Sequence, residues 1–238
     1  MREEHLHAIG SAKLLTALES FRVALVRSGV LVAVFSIGGY LAAGMIIRFL
    51  QRLTGVRLVA YGLPDTFFAF LKLVLAVGLL ATVPHLLYSI LLPLPAKYPT
   101  LRRRSMFVFW LAAIGLFYTG AAFSVMVSLP YGAQYLLSFE SQNIVALISV
   151  KKFISFCLLI VFGFGMIFEL PLFMMLLSRI GLVGATTLSR YRRYAILVIS
   201  IVAAILTPTP DMVNMALLAV PLYLLFELGL LGMRLWKQ

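Results

Sequence analysis

Charge is scarce in this chain, and negative charge is scarcest. Only 12% of its 238 residues are charged, and 8 Asp and Glu stand against 20 Lys and Arg. A soluble domain carries about 25% charged residues, so a water-facing surface of ordinary size cannot be built. A single cysteine, Cys157, excludes an intramolecular disulfide and a thiolate metal cluster. Three histidines, His5, His7 and His85, are too few and too scattered for a metal site. No cofactor is expected. Enzyme signatures are missing too: there is no H-E-x-x-H, no G-x-S-x-G, no P-loop and no pair of intramembrane aspartates. His85 has no clear serine partner for intramembrane proteolysis, so an enzyme is not expected. No aromatic–basic platform lies outside the apolar runs, and the net charge of +12 therefore does not point to nucleic acid.

What is present is apolar length. The chain is 63% hydrophobic, with a mean hydropathy of +1.06. Residues 29–47 and 106–129 carry no charge, and a bilayer span needs about 20 apolar residues. The sequence predicts an all-α integral membrane protein in one transmembrane domain, 1–238. Six spans are expected, at about 27–47, 67–92, 106–129, 153–178, 195–207 and 212–233. Helices are required because an open sheet edge cannot be satisfied in lipid. The connectors are legible: a mixed loop at 48–65, the Pro-rich basic stretch "PLPAKYPTLRRRS", a weakly amphipathic connector at 130–152, the basic turn "GATTLSRYRR" and the tight "TPTPD". The opening "MREEHLHAIGSAKLL" is polar and lacks a signal-peptide pattern, so the first span is expected to be retained. No internal repeat is visible.

Basic residues set orientation. On the N-terminal side lie fourteen: Arg2, Lys13, Arg22, Arg27, Lys97, Arg102, Arg103, Arg104, Arg179, Arg190, Arg192, Arg193, Arg234 and Lys237. The opposite side has five: Arg48, Arg52, Arg57, Lys151 and Lys152. This bias predicts that both termini are cytoplasmic.

Span five, at 13 residues, reaches about 20 Å, short of the about 30 Å hydrocarbon core. Span six has only fifteen residues between Asp211 and Glu227 and is expected to be short as well. Either the bilayer thins locally or flanking residues extend the helices.

A few ionisable groups enter the spans. Glu169 sits well inside span four, and a charge there costs several kcal/mol, of order 3 by insertion scales. Pro171 follows two residues later and cannot donate to the carbonyl of Ile167, so a bend is expected. Acid and kink together point to a face turned toward protein or a watery concavity. The alternatives are an interhelical hydrogen bond and a functional role. Lys72 lies near the outer end of span two and can snorkel. Pro84 and His85 mark a second kink. Asp211 reads as the cap of helix six. Glu227 is expected to reach the cytoplasmic interface. A proton-coupled transporter using Glu169 is an alternative, although such transporters are commonly built from repeats.

Several local patterns resemble one family. "FELP" at 168–171, "LTPTPD" at 206–211 and "AVPLYLLFELG" at 219–229 are similar to motifs of TatC, the multi-span subunit of the twin-arginine protein translocase. "FFAFLKL" at 67–73 and "PHLLY" at 84–88 resemble its second span, and "FYTGAAF" at 117–123 its third. "RRY" at 192–194 stands where the family has R-P-Y. Order and spacing agree over about residues 18–229. The resemblance implies a concave, glove-like array of six helices with both termini inside. It implies binding of twin-arginine signal peptides of folded cargo, small single-span TatA/TatB-like partners, self-association, and export driven by the proton-motive force. The implied location is the plasma (inner) membrane of a prokaryote, or an organellar inner membrane. Glu169, Pro171, Tyr118 and Lys72 become groove residues. Thr207, Pro208, Asp211, Asn214 and Glu227 become contacts for partner helices.

Two family acids that read the arginines have no counterpart here. Aligning Arg22 with the motif arginine places Ser20 at the first acid, with Glu19 one position early, about 100° away around a helix. Leu101 stands at the second, beside Arg102 and Arg103. Candidate signal-peptide contacts are therefore Glu19, Ser20, Leu101, Arg102 and Arg103. One expectation is a translocase core with relaxed signal preference using Glu19. The other is a divergent paralogue with altered recognition.

Overall fold

In the computed structural model, residues 2–98, 101–138, 147–206 and 212–235 are described. The first helix, α1 (Arg2–Thr54), is 53 residues long. Its apolar section, Arg22–Thr54, has 33 residues, about 50 Å of rise. It overruns the mixed loop expected from residue 48. Arg48, Gln51 and Arg52 are good helix formers, and the helix stops only at Gly55. That glycine has φ +69° and donates its N–H to Gln51 O at 2.9 Å, a left-handed cap that suits glycine.

After strand β1 (Leu58–Val59), α2 (Leu63–Leu91) runs back against α1. Two glycines let the pair approach. A Cβ on Gly39 would lie 3.1 Å from Val74 O, and one on Gly78 would lie 2.6 Å from Val32 O. In lipid, where no hydrophobic force separates helix from solvent, such small-residue contacts supply the packing.

A short helix, α3 (Leu94–Lys97), precedes α4 (Arg103–Phe123). A π-helical turn at Ser124–Ser128 leads into α5 (Leu129–Leu137). The connector expected from residue 130 is thus still helical for two more turns: α5 continues directly from the π-helical turn, where Leu129 N–H bonds Ser124 O, and Pro130 lies inside this continuous helix. Strand β2 (Ile148–Ser149) pairs in parallel with β1, Leu58 opposite Ile148 and Val59 opposite Ser149. This small sheet belongs to the connectors, not the spans, and was not expected.

Helix α6 (Val150–Phe168) interlocks with α4 through exchanged glycines and phenylalanines. A Cβ on Gly120 would lie 2.6 Å from Phe164 O, and one on Gly165 would lie 2.7 Å from the Phe117 ring. Phe164, Ile154 and Cys157 are among the most deeply buried side chains.

The chain bends at Glu169 and continues as α7 (Leu170–Arg179). Then follow α8 (Ala185–Arg190), α9 (Arg192–Leu206) and α10 (Met212–Leu235). Helix α9 has 15 residues, about 22 Å, short as expected. Helix α10 has 24 residues, about 36 Å. It runs to Leu235, close to the expected bound at 233, and is not the short helix expected from the interval between Asp211 and Glu227. Among the described residues, five helical stretches are long and apolar enough to cross a membrane. Their outer faces are apolar: Leu41, Met126 and Ile37 are 82%, 72% and 71% exposed, a surface that only lipid or a partner satisfies.

Candidate functional site: a kinked helix with a buried carboxylate

Glu169 forms the hinge between α6 and α7, with φ −71° and ψ −14°. Its N–H donates to Met166 O at 3.2 Å, and its carbonyl accepts from Phe173 N at 2.9 Å. These two bonds persist across the break, while Pro171 cannot donate the next one to Ile167 O. The side chain is half-buried, and Oε1 is buried with no hydrogen-bond partner. A buried carboxylate oxygen without a donor is costly, and most such atoms are satisfied. The hydrogen-bond alternative for Glu169 is therefore unfilled at this oxygen.

Pro171 is buried and faces α10. A Cβ on Gly229 would lie 2.8 Å from Met174 Sδ and 3.1 Å from Pro171 Cα. Gly232 meets Met175 Sδ in the same way, at 2.6 Å. The kinked segment is thereby seated on α10 by two methionines, whose flexible thioethers fit an irregular seam.

Tyr118 does not pair with Glu169. Its hydroxyl donates to Leu80 O at 2.9 Å. Pro84, four residues on, has no N–H, so it leaves the Leu80 carbonyl without its helical donor. The tyrosine on α4 fills that vacancy, and Trp110 Nε1 donates to Pro84 O at 2.8 Å. Two hydrogen bonds from α4 thus hold the kink of α2. The proline signals the freed carbonyl in sequence, but nothing in sequence identifies the donor.

Lys72 is also occupied elsewhere, donating to Ser155 Oγ at 2.9 Å. Ser155 precedes Glu169 by fourteen residues, about 21 Å along the helix. Lys72 and Glu169 therefore belong to different levels of the bundle.

Leu101 is 3% exposed and packs with Met106 and Phe109, against Leu172 and Met175. It seats the loop on the kinked helix α7. Arg102 and Arg103 are exposed at the start of α4. Glu19 and Ser20 lie on α1, but their side chains fall outside the described residues, as does that of Asn214 on α10. Thr207, Pro208 and Asp211 lie outside them altogether.

Glu227 is clamped. Arg192 Nη2 donates to Glu227 Oε2 at 2.8 Å, and the Tyr223 hydroxyl donates to Oε1, also at 2.8 Å. Arg234 adds a bond to Ser189 Oγ at 2.7 Å. These contacts tie α8, α9 and α10 together at one end.

Comparison with known proteins places this arrangement. The family model for TatC, the Sec-independent protein translocase protein, matches residues 16–221. The Sec-independent protein translocase protein TatC of Desulforapulum autotrophicum is 34% identical over 187 residues, 77% of this chain and 68% of the relative. That of Deinococcus radiodurans is 32% identical over 248 residues, 96% of this chain and 88% of the relative. A crystal structure of the twin-arginine translocase receptor TatC in DDM superposes with a TM-score of 0.79, at 28% identity, over 91% of this chain and 98% of that one. A second TatC crystal structure gives a TM-score of 0.77. The family model spans most of the chain and two relatives exceed 30% identity across it, so the chain belongs to the TatC family of Sec-independent protein translocase proteins.

Proposed function

We propose that the chain is the signal-peptide-binding core of a twin-arginine translocase in a prokaryotic plasma membrane. Both termini face the cytoplasm, following the fourteen-to-five distribution of basic residues. The chain recruits small single-span TatA/TatB-like subunits, self-associates, and exports folded cargo at the expense of the proton-motive force. The observation that carries this reading is Glu169: a carboxylate with one buried, unpartnered oxygen at a helix bend, in a fold matched to a translocase receptor. A polar group from an incoming helix would satisfy that oxygen. This favours a docking groove over the proton-coupled transporter reading, since that class is commonly built from repeats and none is visible here. The exposed apolar residues of the short helix α9, Ile201 and Ile205, suit the edge where partner helices dock, next to Thr207 and Asn214.

Arginine reading in this chain is relaxed. Leu101 stands in place of an acid and is buried, and Arg102, Arg103 and Arg104 are exposed beside it. Two arginines brought there meet like charge. Glu19 supplies the remaining acid. The direct test is export of a twin-arginine reporter by Glu169→Gln and Glu169→Ala proteins at matched membrane levels. Export should fall at least tenfold for alanine, with part retained by glutamine. Undiminished export and partner crosslinking in both variants would remove the groove role.

A further inference from the structure

A second buried polar group lies on the seam between α1 and α2. Gly39 abuts Val74 and Val77, and Gly78 abuts Val32 and Ser36, so the two helices run antiparallel in a defined register. Carried two turns on, that register brings Ser28 level with His85. Both carry a buried polar atom without a partner, Ser28 Oγ and His85 Nε2. Beside them opens a cavity of about 220 Å³ whose lining includes Val23, Arg27, His85, Tyr88, Ser89 and Leu92. A single water needs only about 10–15 Å³, so one bridging water does not fill it.

The lining is rich in donors. Arg27 offers a guanidinium and no acceptor, and Tyr88 and His85 offer one donor each in a suitable tautomer. Among the described residues no carboxylate lines the cavity. This is the chemistry of an anion site, and guanidinium matches phosphate oxygens well. Its level is that of a lipid headgroup. His85 is six residues from the end of α2, about 9 Å of rise, and Arg27 stands two residues before the charge-free run 29–47 of α1. Val30 and Val34, 58% and 56% exposed, continue the apolar surface from the pocket toward the bilayer interior.

We propose that this pocket holds the phosphate of a phospholipid headgroup, bound by Arg27 and His85, with the acyl chains lying along Val30 and Val34. The apolar flank distinguishes a lipid from a soluble anion. The bound lipid fills the open end of the α1–α2 seam and satisfies His85 Nε2.

The test is native mass spectrometry of the purified full chain, titrated with phosphatidylglycerol. Arg27→Gln and His85→Leu should each weaken retention of one lipid about tenfold, or about 1.4 kcal/mol. Arg190→Gln, which removes an equal charge outside the pocket, should change it less than twofold. Arg27 is exposed, so Arg27→Gln keeps the fold and decides the case if His85→Leu does not fold. Unchanged retention in the pocket variants, or an equal loss in Arg190→Gln, would overturn the proposal. Displacement of the lipid by equimolar inorganic phosphate would identify a soluble anion as the occupant and overturn the lipid assignment.

Discussion

The Tyr118 hydroxyl lies 2.9 Å from Leu80 O, the carbonyl that Pro84 deprives of its helical donor. Kink and hydroxyl form one unit: the proline bends α2, and α4 supplies the missing bond. Tyr118→Phe should destabilise the protein by about 1–2 kcal/mol, the cost of leaving a buried acceptor unfilled. In a Pro84→Ala background the alanine N–H restores the helical bond, and the same tyrosine change should cost well under half as much. Unfolding in detergent of the two single variants and the double variant checks this. Equal costs in both backgrounds would refute the coupling.

The interlock of α4 and α6 makes Gly120 and Gly115 sharply different. A Cβ at Gly120 meets Phe164 O at 2.6 Å, whereas one at Gly115 meets nothing within 4 Å. Gly120→Ala should destabilise by about 1–3 kcal/mol through forced separation of the helices. Gly115→Ala should be neutral or stabilising by a few tenths to about 1 kcal/mol, as expected for glycine replaced in a helix. The measurement is melting temperature in one detergent, side by side.

The clamp between Arg192 and Glu227 is partly exposed, with side chains 44% and 26% accessible. Its coupling energy should accordingly be modest, about 0.5–1 kcal/mol in a double-mutant cycle, and should shrink in 1 M salt. Glu227→Gln retains an acceptor for Tyr223 and should cost less than Glu227→Ala. A coupling energy of zero at low salt would mean that the pair holds α9 and α10 together only through packing.

At the arginine-reading face, Ser20 and Leu101 should respond differently to restored acids. Ser20→Glu should raise the preference for an Arg–Arg over a Lys–Lys signal peptide several-fold, because it returns a carboxylate to the position on α1 proposed to read arginine. Leu101→Glu places a charge in a site that is 3% exposed. It should destabilise by about 2 kcal/mol or more without improving discrimination. Peptide crosslinking yield together with thermal stability separates the two outcomes.

Much of this was readable from residue order. The acid and proline of "FELP" announced the break at Glu169, and each of the five helical stretches long and apolar enough to cross a membrane contains or overlaps one of the expected apolar runs. What escaped detection depended on contacts between distant segments. Residues 48–54 looked like a loop because they are polar, yet Arg and Gln continue a helix easily and only Gly55 stops it. Helix α5 was missed because Pro130 reads as a breaker, although the helix runs on through it directly after the π-helical turn. The two-residue sheet needs residues 58 and 148 together, which no local pattern reveals. Glu227 read as a group reaching the interface because its partner, Arg192, is 35 residues away. At Leu101, the departure from an acid was visible in the sequence. Its burial against Met106 and Phe109 was not, since a lone leucine in a polar loop has no period to mark it.

The central claim, that this chain binds signal peptides through its cytoplasmic face and the Glu169 groove, is tested most directly by site-specific photocrosslinking in membranes. Probes would be placed at Glu19, Leu101 and Glu169, against a twin-arginine signal peptide and its Lys–Lys variant. The account predicts crosslinks from Glu19 and Glu169, with yields for the two peptides within about threefold, because a single exposed acid discriminates weakly. No crosslinks to either peptide from stable, correctly inserted protein would contradict it.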